Sequence, residues 1–229
     1  MTAPAYVLVP GAGGAAWYWH RVAAELDARG VPQVTVGLPA ADPAAGLPAY
    51  ANLIVEAASA FDDVVLVGTS LNAFATSRAA AEVPHCSRLI LLNAMVPAPG
   101  ETAGEWGANT GAGDARREND LREGRDPDAE FSDDVYYFHD LSTDLVADSL
   151  AHDSDETETA LLDVWDLEAW PDVPTRVVIS DGDRLFPAEF QRRVARERLG
   201  PDVEIVEVPG GHLAALSRPR EVADALLLP

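Results

Sequence analysis

The sequence predicts an α/β protein: a mostly parallel, doubly wound sheet of about six strands, with a helical segment inserted after the fourth. Three observations carry this expectation. Short apolar runs alternate with stretches of helical periodicity over residues 5–92, and again over 175–228. Strands separated by helices pair in parallel, because the chain must cross over to return to the same edge. Between the two blocks the rhythm fails and acids concentrate, so that residues 118–172 hold half of the chain's 38 Asp and Glu.

The elements follow in order. Ala5–Val9 is short, apolar and closed by Pro10-Gly11, which reads as a buried strand. Residues 17–29 place Trp19, Val22, Ala23 and Leu26 at helical spacing, and Gly30 stops them. A second strand is expected at 33–36 and a second helix at 47–60. A third strand follows at 64–67, then a third helix at 70–82 ended by Pro84, and a fourth strand at 88–92. From Met95 to about Pro174 come Pro/Gly turns and acidic amphipathic stretches, with helices expected at 133–151 and 157–167 and no strand. Strands at Thr175–Ser180 and 203–208 and helices at 187–199 and 220–228 complete the chain. The expected division is a core of residues 1–95 and 173–229 and a helical, acidic lid of residues 96–172.

Composition narrows the function classes. The 229 residues suffice for one domain with a full core, and 48% of them are hydrophobic. A formal net charge of −22 repels nucleic acid and anionic membranes, so neither is an expected partner. No apolar run reaches the ~18 to 20 residues of a bilayer span, and the first residues lack a basic signal-peptide region. A lone cysteine, Cys86, allows no internal disulfide and reads as a small buried hydrophobe. The histidines are scattered and the acids lack calcium-loop spacing, so no metal and no cofactor is expected. The expectation is a cytoplasmic monomer or homodimer acting on a small molecule.

In open α/β sheets ligands bind beyond the carboxyl ends of the strands, which directs attention to five loops. In "VVLVGTSLNAF" Ser70 follows the third strand and opens a helix, where a tight turn exposes its hydroxyl beside a positive helix end. On its own such a serine could simply cap the helix. His212, in "PGGHLAALSRP", is the one histidine of five placed in a loop after a strand. Asp183 and its rival Asp181 lie in "SDGDRLFP", after the fifth strand. A serine nucleophile needs a base to take its proton, and the base needs an anion to fix its tautomer. The order Ser, Asp, His, each after a separate strand, supplies all three. An oxyanion site needs backbone N–H groups: Leu71, one past the serine, and Ala12, in the Gly-rich loop "PGAGGAAW". That loop is not a dinucleotide fingerprint, since Trp17 stands near the closing glycine position and no acid follows about 20 residues on.

The stretches "VLVPGAGGAAWYWHRV", "LVGTSLNAF" and "SDGDRLFPAEFQRRV" with "VPGGHLAALSRPREVADAL" resemble the small α/β-hydrolases that include plant methyl-ester esterases and hydroxynitrile lyases, with their bacterial relatives. The resemblance covers about two thirds of the chain. It implies the α/β-hydrolase fold, Ser70 as nucleophile, His212 as base, Asp183 rather than Asp181 as the acid, and Ala12 and Leu71 as oxyanion donors. The chain departs from the family pattern at Pro10, at Thr69 beside the serine, and at Asn72, where the family has Gly. A larger residue at 72 either pushes the helix outward or finds a local hydrogen bond for its amide. The lyase branch carries Thr at the position of Gly11 and Lys at that of Leu213; neither is present, so cyanohydrin cleavage is not expected.

The expected function is a serine esterase that cleaves a small neutral or apolar ester through an acyl-enzyme. Trp106, Phe131, Tyr136, Tyr137, Phe138, Leu141 and Trp165 of the insertion would supply apolar walls. The alternative is a non-hydrolytic cyclase, isomerase or lyase acting on a small natural product, since fold alone does not fix chemistry.

Overall fold

A computed structural model describes residues 3–152 and 154–229. Six parallel strands form one sheet: β1 (Ala5–Val9), β2 (Gln33–Thr35), β3 (Val64–Thr69), β4 (Cys86–Leu92), β5 (Thr175–Ser180) and β6 (Glu204–Val208). Their order across the sheet is β2-β1-β3-β4-β5-β6. The chain therefore moves from β1 out to β2, returns past β1 to β3, and then fills the other side. The direction of winding reverses between β1 and β3, and the crevice beyond their carboxyl ends is where such sheets bind ligands.

Every residue of β1 and β3 is buried. Both faces are covered, so the strands read as continuous apolar runs. Side-chain alternation splits the core in two. Val7, Val9, Leu66, Leu89 and Leu91 pack with α2 (Leu47–Ala58) and α3 (Ala73–Ala80), on the side that also receives Phe190 and Val194. Leu8, Val65, Val67, Ile90 and Leu92 pack on the opposite face against α1 (His20–Ala28) and the last helix of the chain, at Pro219–Leu226.

Among the described residues, five helices occupy the segment between β4 and β5: α4 (Ala103–Thr110), α5 (Ala112–Arg122), α6 (Asp133–Tyr136), α7 (Thr143–His152) and α8 (Glu158–Leu162). The first two fall where glycines and prolines read as turns. A reciprocal cap starts α4: the Thr102 hydroxyl accepts the Glu105 N–H at 3.2 Å, and the Glu105 carboxylate accepts the Thr102 N–H at 3.1 Å. Trp106, 1% exposed, anchors that helix in the core, which outweighs Gly104 and Gly107.

The expected helix at 133–151 is two helices, interrupted where His139 and Asp140 lie against the Gly210-Gly211 turn. The expected helix at 157–167 ends at Leu162. There Asp163 leaves helical geometry and accepts the Leu47 N–H at 2.8 Å, and Val164 makes an isolated antiparallel bridge to Thr102. The chain closes with α9 (Ala188–Leu199), the single turn α10 (Ala214–Ser217) and α11 (Pro219–Leu226). Among the described residues no helix is long and apolar enough to cross a membrane.

Candidate active site

β3 ends at Thr69, and the chain turns at once into a 3-10 turn, Ser70–Asn72, leading into α3. Ser70 takes φ of +48°, a conformation that non-glycine residues rarely adopt. Two close approaches allow the turn. A Cβ at Gly68 would lie 2.6 Å from the Thr76 hydroxyl and 2.7 Å from Thr76 Cβ. A Cβ at Gly11 would lie 3.2 Å from Ser70 Cβ. The β1 loop therefore rests directly on the serine. From the other side, the Met95 N–H donates to the Ser70 carbonyl at 3.0 Å.

The loops after β3, β5 and β6 bring three predicted residues together. The Ser70 hydroxyl lies 3.0 Å from His212 Nε2, and His212 Nδ1 lies 2.8 Å from Asp183 Oδ2. A carboxylate only accepts, so Nδ1 carries the proton and Nε2 is free to receive one from Ser70. Asp183 is 2% exposed and fully engaged: Oδ1 accepts the Leu185 and Phe186 N–H groups, each at 2.9 Å, and Oδ2 also accepts Gln191 Nε2 at 3.2 Å. Asp181 is exposed and makes no part of this chain of bonds. The imidazole is 2% exposed and held edge-on by Phe186 and Tyr137, at 5.1 and 5.5 Å between ring centres.

Four supporting residues carried no signal used in the sequence reading. Asn93, buried and at φ +46°, donates to Ser180 Oγ at 2.8 Å and to the His212 carbonyl at 3.0 Å, and accepts the Ser180 N–H at 2.8 Å. It ties the ends of β4 and β5 to the histidine loop. A polar residue tolerant of positive φ straight after an apolar strand was its available signature. Gln191, one turn into α9, and Asp140, which accepts the Gly211 N–H at 2.7 Å, had none. Beside Asp140, burial and then the Arg184 charge hold His139 below the ordinary histidine value. Glu156 accepts the Gly13 N–H at 2.9 Å and the Tyr50 hydroxyl at 2.6 Å; burial pushes its carboxyl above the ordinary value, against those two bonds.

Ser70 and His212 open into a cavity of about 340 Å³, a volume suited to a small ligand. Ala12 and Thr69 line it; Leu71 is buried beneath, its side chain in the core. Of the aromatic walls expected from the insertion, Tyr137 and Phe138 line this cavity. The others are engaged elsewhere. Trp106 donates to the Val96 carbonyl at 2.9 Å and Trp165 to Ser77 Oγ at 3.0 Å, both deep in the core. Phe131 and Tyr136 stack on one another beneath Arg116, and Leu141 packs on the sheet cluster facing α1. Trp17 and Tyr18, after the first strand, supply the missing apolar wall. Asp133, Asp155 and Glu156 line the cavity, with His152 and, among the described residues, no arginine. Among the described residues no group of three or more His, Cys, Asp or Glu is placed to hold a metal ion. Chemically, the arrangement can take a proton from Ser70 and hold the resulting imidazolium against a buried anion.

Comparison with known proteins places the fold and the family. The chain is similar to a protein of a Phoma species named as a probable hydrolase, R7, with 25% identity over 99% of this chain and 98% of that one. Its fold is similar to that of polyneuridine aldehyde esterase, with a TM-score of 0.78 and 20% identity over 99% of this chain and 98% of the other. A methylesterase from Arabidopsis superposes with a TM-score of 0.76 at 20% identity, covering 98% of each chain. Residues 6–225 match the sequence pattern of the alpha/beta hydrolase family, so the chain belongs to that family.

Proposed function

We propose that this protein is a serine esterase that cleaves a small, neutral or apolar carboxylic ester through an acyl-enzyme on Ser70. The observation that carries the reading is the continuous hydrogen-bonded path from Ser70 through His212 to Asp183, opening into a cavity of about 340 Å³. His212 Nε2 takes the Ser70 proton as Oγ attacks the ester carbonyl. The tetrahedral oxyanion is met by the N–H groups of Ala12 and Leu71. His212 then gives its proton to the leaving alcohol, and the acyl group remains on Ser70. Water, deprotonated by the same imidazole, attacks the acyl-enzyme; the C–Oγ bond breaks, the acid leaves, and the imidazolium returns the proton to Ser70 Oγ. Asp183 keeps the histidine tautomer throughout and takes no proton. Water is the one co-reactant, so the cycle calls for no cofactor.

The acidic rim of Asp133, Asp155 and Glu156 opposes anionic substrates, which supports a neutral or cationic ester. Residues 96–172 act as the lid of this site, which is supported by Tyr137, Phe138, Ser149 and His152 lining the same cavity as Ser70. Two of the structural relatives are named as esterases, which agrees with ester chemistry. The test is p-nitrophenyl acetate under stopped flow. A burst of about one p-nitrophenol per protein followed by slower turnover is expected, with both lost in Ser70→Ala. Turnover that survives Ser70→Ala contradicts the proposal and favours chemistry without an acyl-enzyme.

A further inference from the structure

The side chain of Asn72 is 2% exposed and spends both amide hydrogens on adjacent carbonyls of the β1 loop. Nδ2 donates to the Pro10 carbonyl at 3.0 Å and to the Gly11 carbonyl at 2.7 Å. The backbone of Asn72 is fixed in turn, because the Thr76 hydroxyl donates to the Asn72 carbonyl at 2.6 Å. Among the described residues every peptide bond is trans. In a trans peptide the C=O of one residue and the N–H of the next point in opposite directions. The Gly11 carbonyl is drawn inward to the buried amide. The Ala12 N–H is therefore directed away from the Asn72 amide, and Ala12 lines the cavity that it shares with Ser70.

We infer that Asn72 is a positioning residue that sets the oxyanion site: it locks the Gly11–Ala12 peptide plane so that the Ala12 N–H faces the oxyanion that forms when Ser70 attacks the ester carbonyl. The inference rests on the reading of Ser70 as the nucleophile. Asn72 touches no reacting atom. It acts through the loop, and it does so from the serine's own turn, two residues along. Nucleophile and oxyanion donor are thereby held in one rigid unit. The two donors of a carboxamide match the two adjacent carbonyls; a glycine at this position would supply neither bond.

The experiment compares wild type with Asn72→Asp and Asn72→Ala. Asp keeps the shape but sets carboxylate oxygens against the two carbonyls; Ala removes both side-chain bonds and leaves the Gly11 carbonyl only the Gly14 N–H, at 3.2 Å. Each protein is measured for kcat and KM on p-nitrophenyl acetate, for thermal midpoint, and for the Kd of an aryl trifluoromethyl ketone. That ketone forms a tetrahedral adduct on a reactive serine and needs the same oxyanion site. The expected result is a fall in kcat of about 100-fold with KM changed less than about threefold, since the lost interaction belongs to the transition state. Ketone affinity should weaken by the same factor as kcat/KM. A merely structural role would lower the midpoint and leave kcat and ketone affinity in place at temperatures where the variants are folded. Either folded variant with wild-type kcat and wild-type ketone affinity overturns the inference. A wild-type protein inert to both ester and ketone instead overturns the reading of Ser70, and this inference with it.

Discussion

Ser70 holds a backbone conformation that its residue type resists. A positive φ costs a residue with a Cβ roughly 1–2 kcal/mol, and Ser70 sits at +48°. The strain is sustained by Gly68 and Gly11 packing on either side and by the Met95 N–H on its carbonyl. Replacing Ser70 by Gly removes the Cβ that causes the cost. Ser70→Gly should therefore be more stable than wild type by about 1 kcal/mol in urea unfolding. An equal or lower stability would contradict the claim that strain is stored at this turn. The residues of this site were legible to different degrees. Ser70, His212 and Asp183 stood out because each follows a separate strand in a chain of only five histidines. Asn93, Gln191 and Asp140 did not, because each acts through a partner supplied by a distant segment, and sequence spacing carries no trace of such pairs. The outcome at Asn72 was open in the sequence, between a displaced helix and a local hydrogen bond. The structure shows the hydrogen bonds, to Pro10 and Gly11.

At the scale of elements, the insertion is fastened to the core by buried polar groups as well as by Trp106 and Trp165. Glu101, 5% exposed, pairs with Arg198 of α9, and Arg198 Nη2 donates to Glu101 Oε1 at 2.8 Å. Burial pushes the Glu101 carboxyl up, but Arg198, Asn109 and the Ala98 N–H together outweigh it, and the net displacement is downward. A carboxyl held below its ordinary value stabilises the fold above that value and loses the contribution as pH falls through the lowered one. Glu101→Gln should cost roughly 3 kcal/mol at pH 7, the usual scale for breaking a buried pair. Urea unfolding from pH 7 to pH 3 should show that gap closing on acidification. A gap that stays constant or widens would contradict the assignment. The strands were legible because most are short, largely apolar runs bounded by turn or polar residues, such as Pro10 after β1, Ser70 after β3, Asn93 after β4 and Asp181 after β5. The start of α4 carried a local signal that the sequence reading did not use, the capping box of Thr102 and Glu105, while the burial of Trp106 that anchors this helix is a tertiary fact. The break between α6 and α7 likewise comes from contact with the Gly210-Gly211 turn.

For the whole molecule, the reversal of winding between β1 and β3 explains why the Gly-rich loop, Ser70 and the cavity coincide. Strand–helix alternation predicted the parallel sheet and pointed to the loops at its carboxyl ends; the strand order, and with it the crevice between β1 and β3, was not readable from rhythm. Which aromatics wall the cavity was not readable, because it depends on how the insertion packs. The net charge of −22 acts on the whole chain as self-repulsion. Raising sodium chloride from 20 mM to 500 mM should screen it and lift the thermal midpoint by at least about 3 °C, the shift about 1 kcal/mol gives in a chain of this size. A flat or falling midpoint would mean that screened ion pairs outweigh the excess acids. The account as a whole rests on one reactive oxygen. Incubation with a fluorophosphonate, digestion and mass spectrometry of the peptides tests it most directly. The account predicts a single stoichiometric adduct on Ser70, absent in Ser70→Ala and slowed in His212→Ala. An unmodified Ser70 in folded protein, or an adduct on another residue that survives Ser70→Ala, would contradict it.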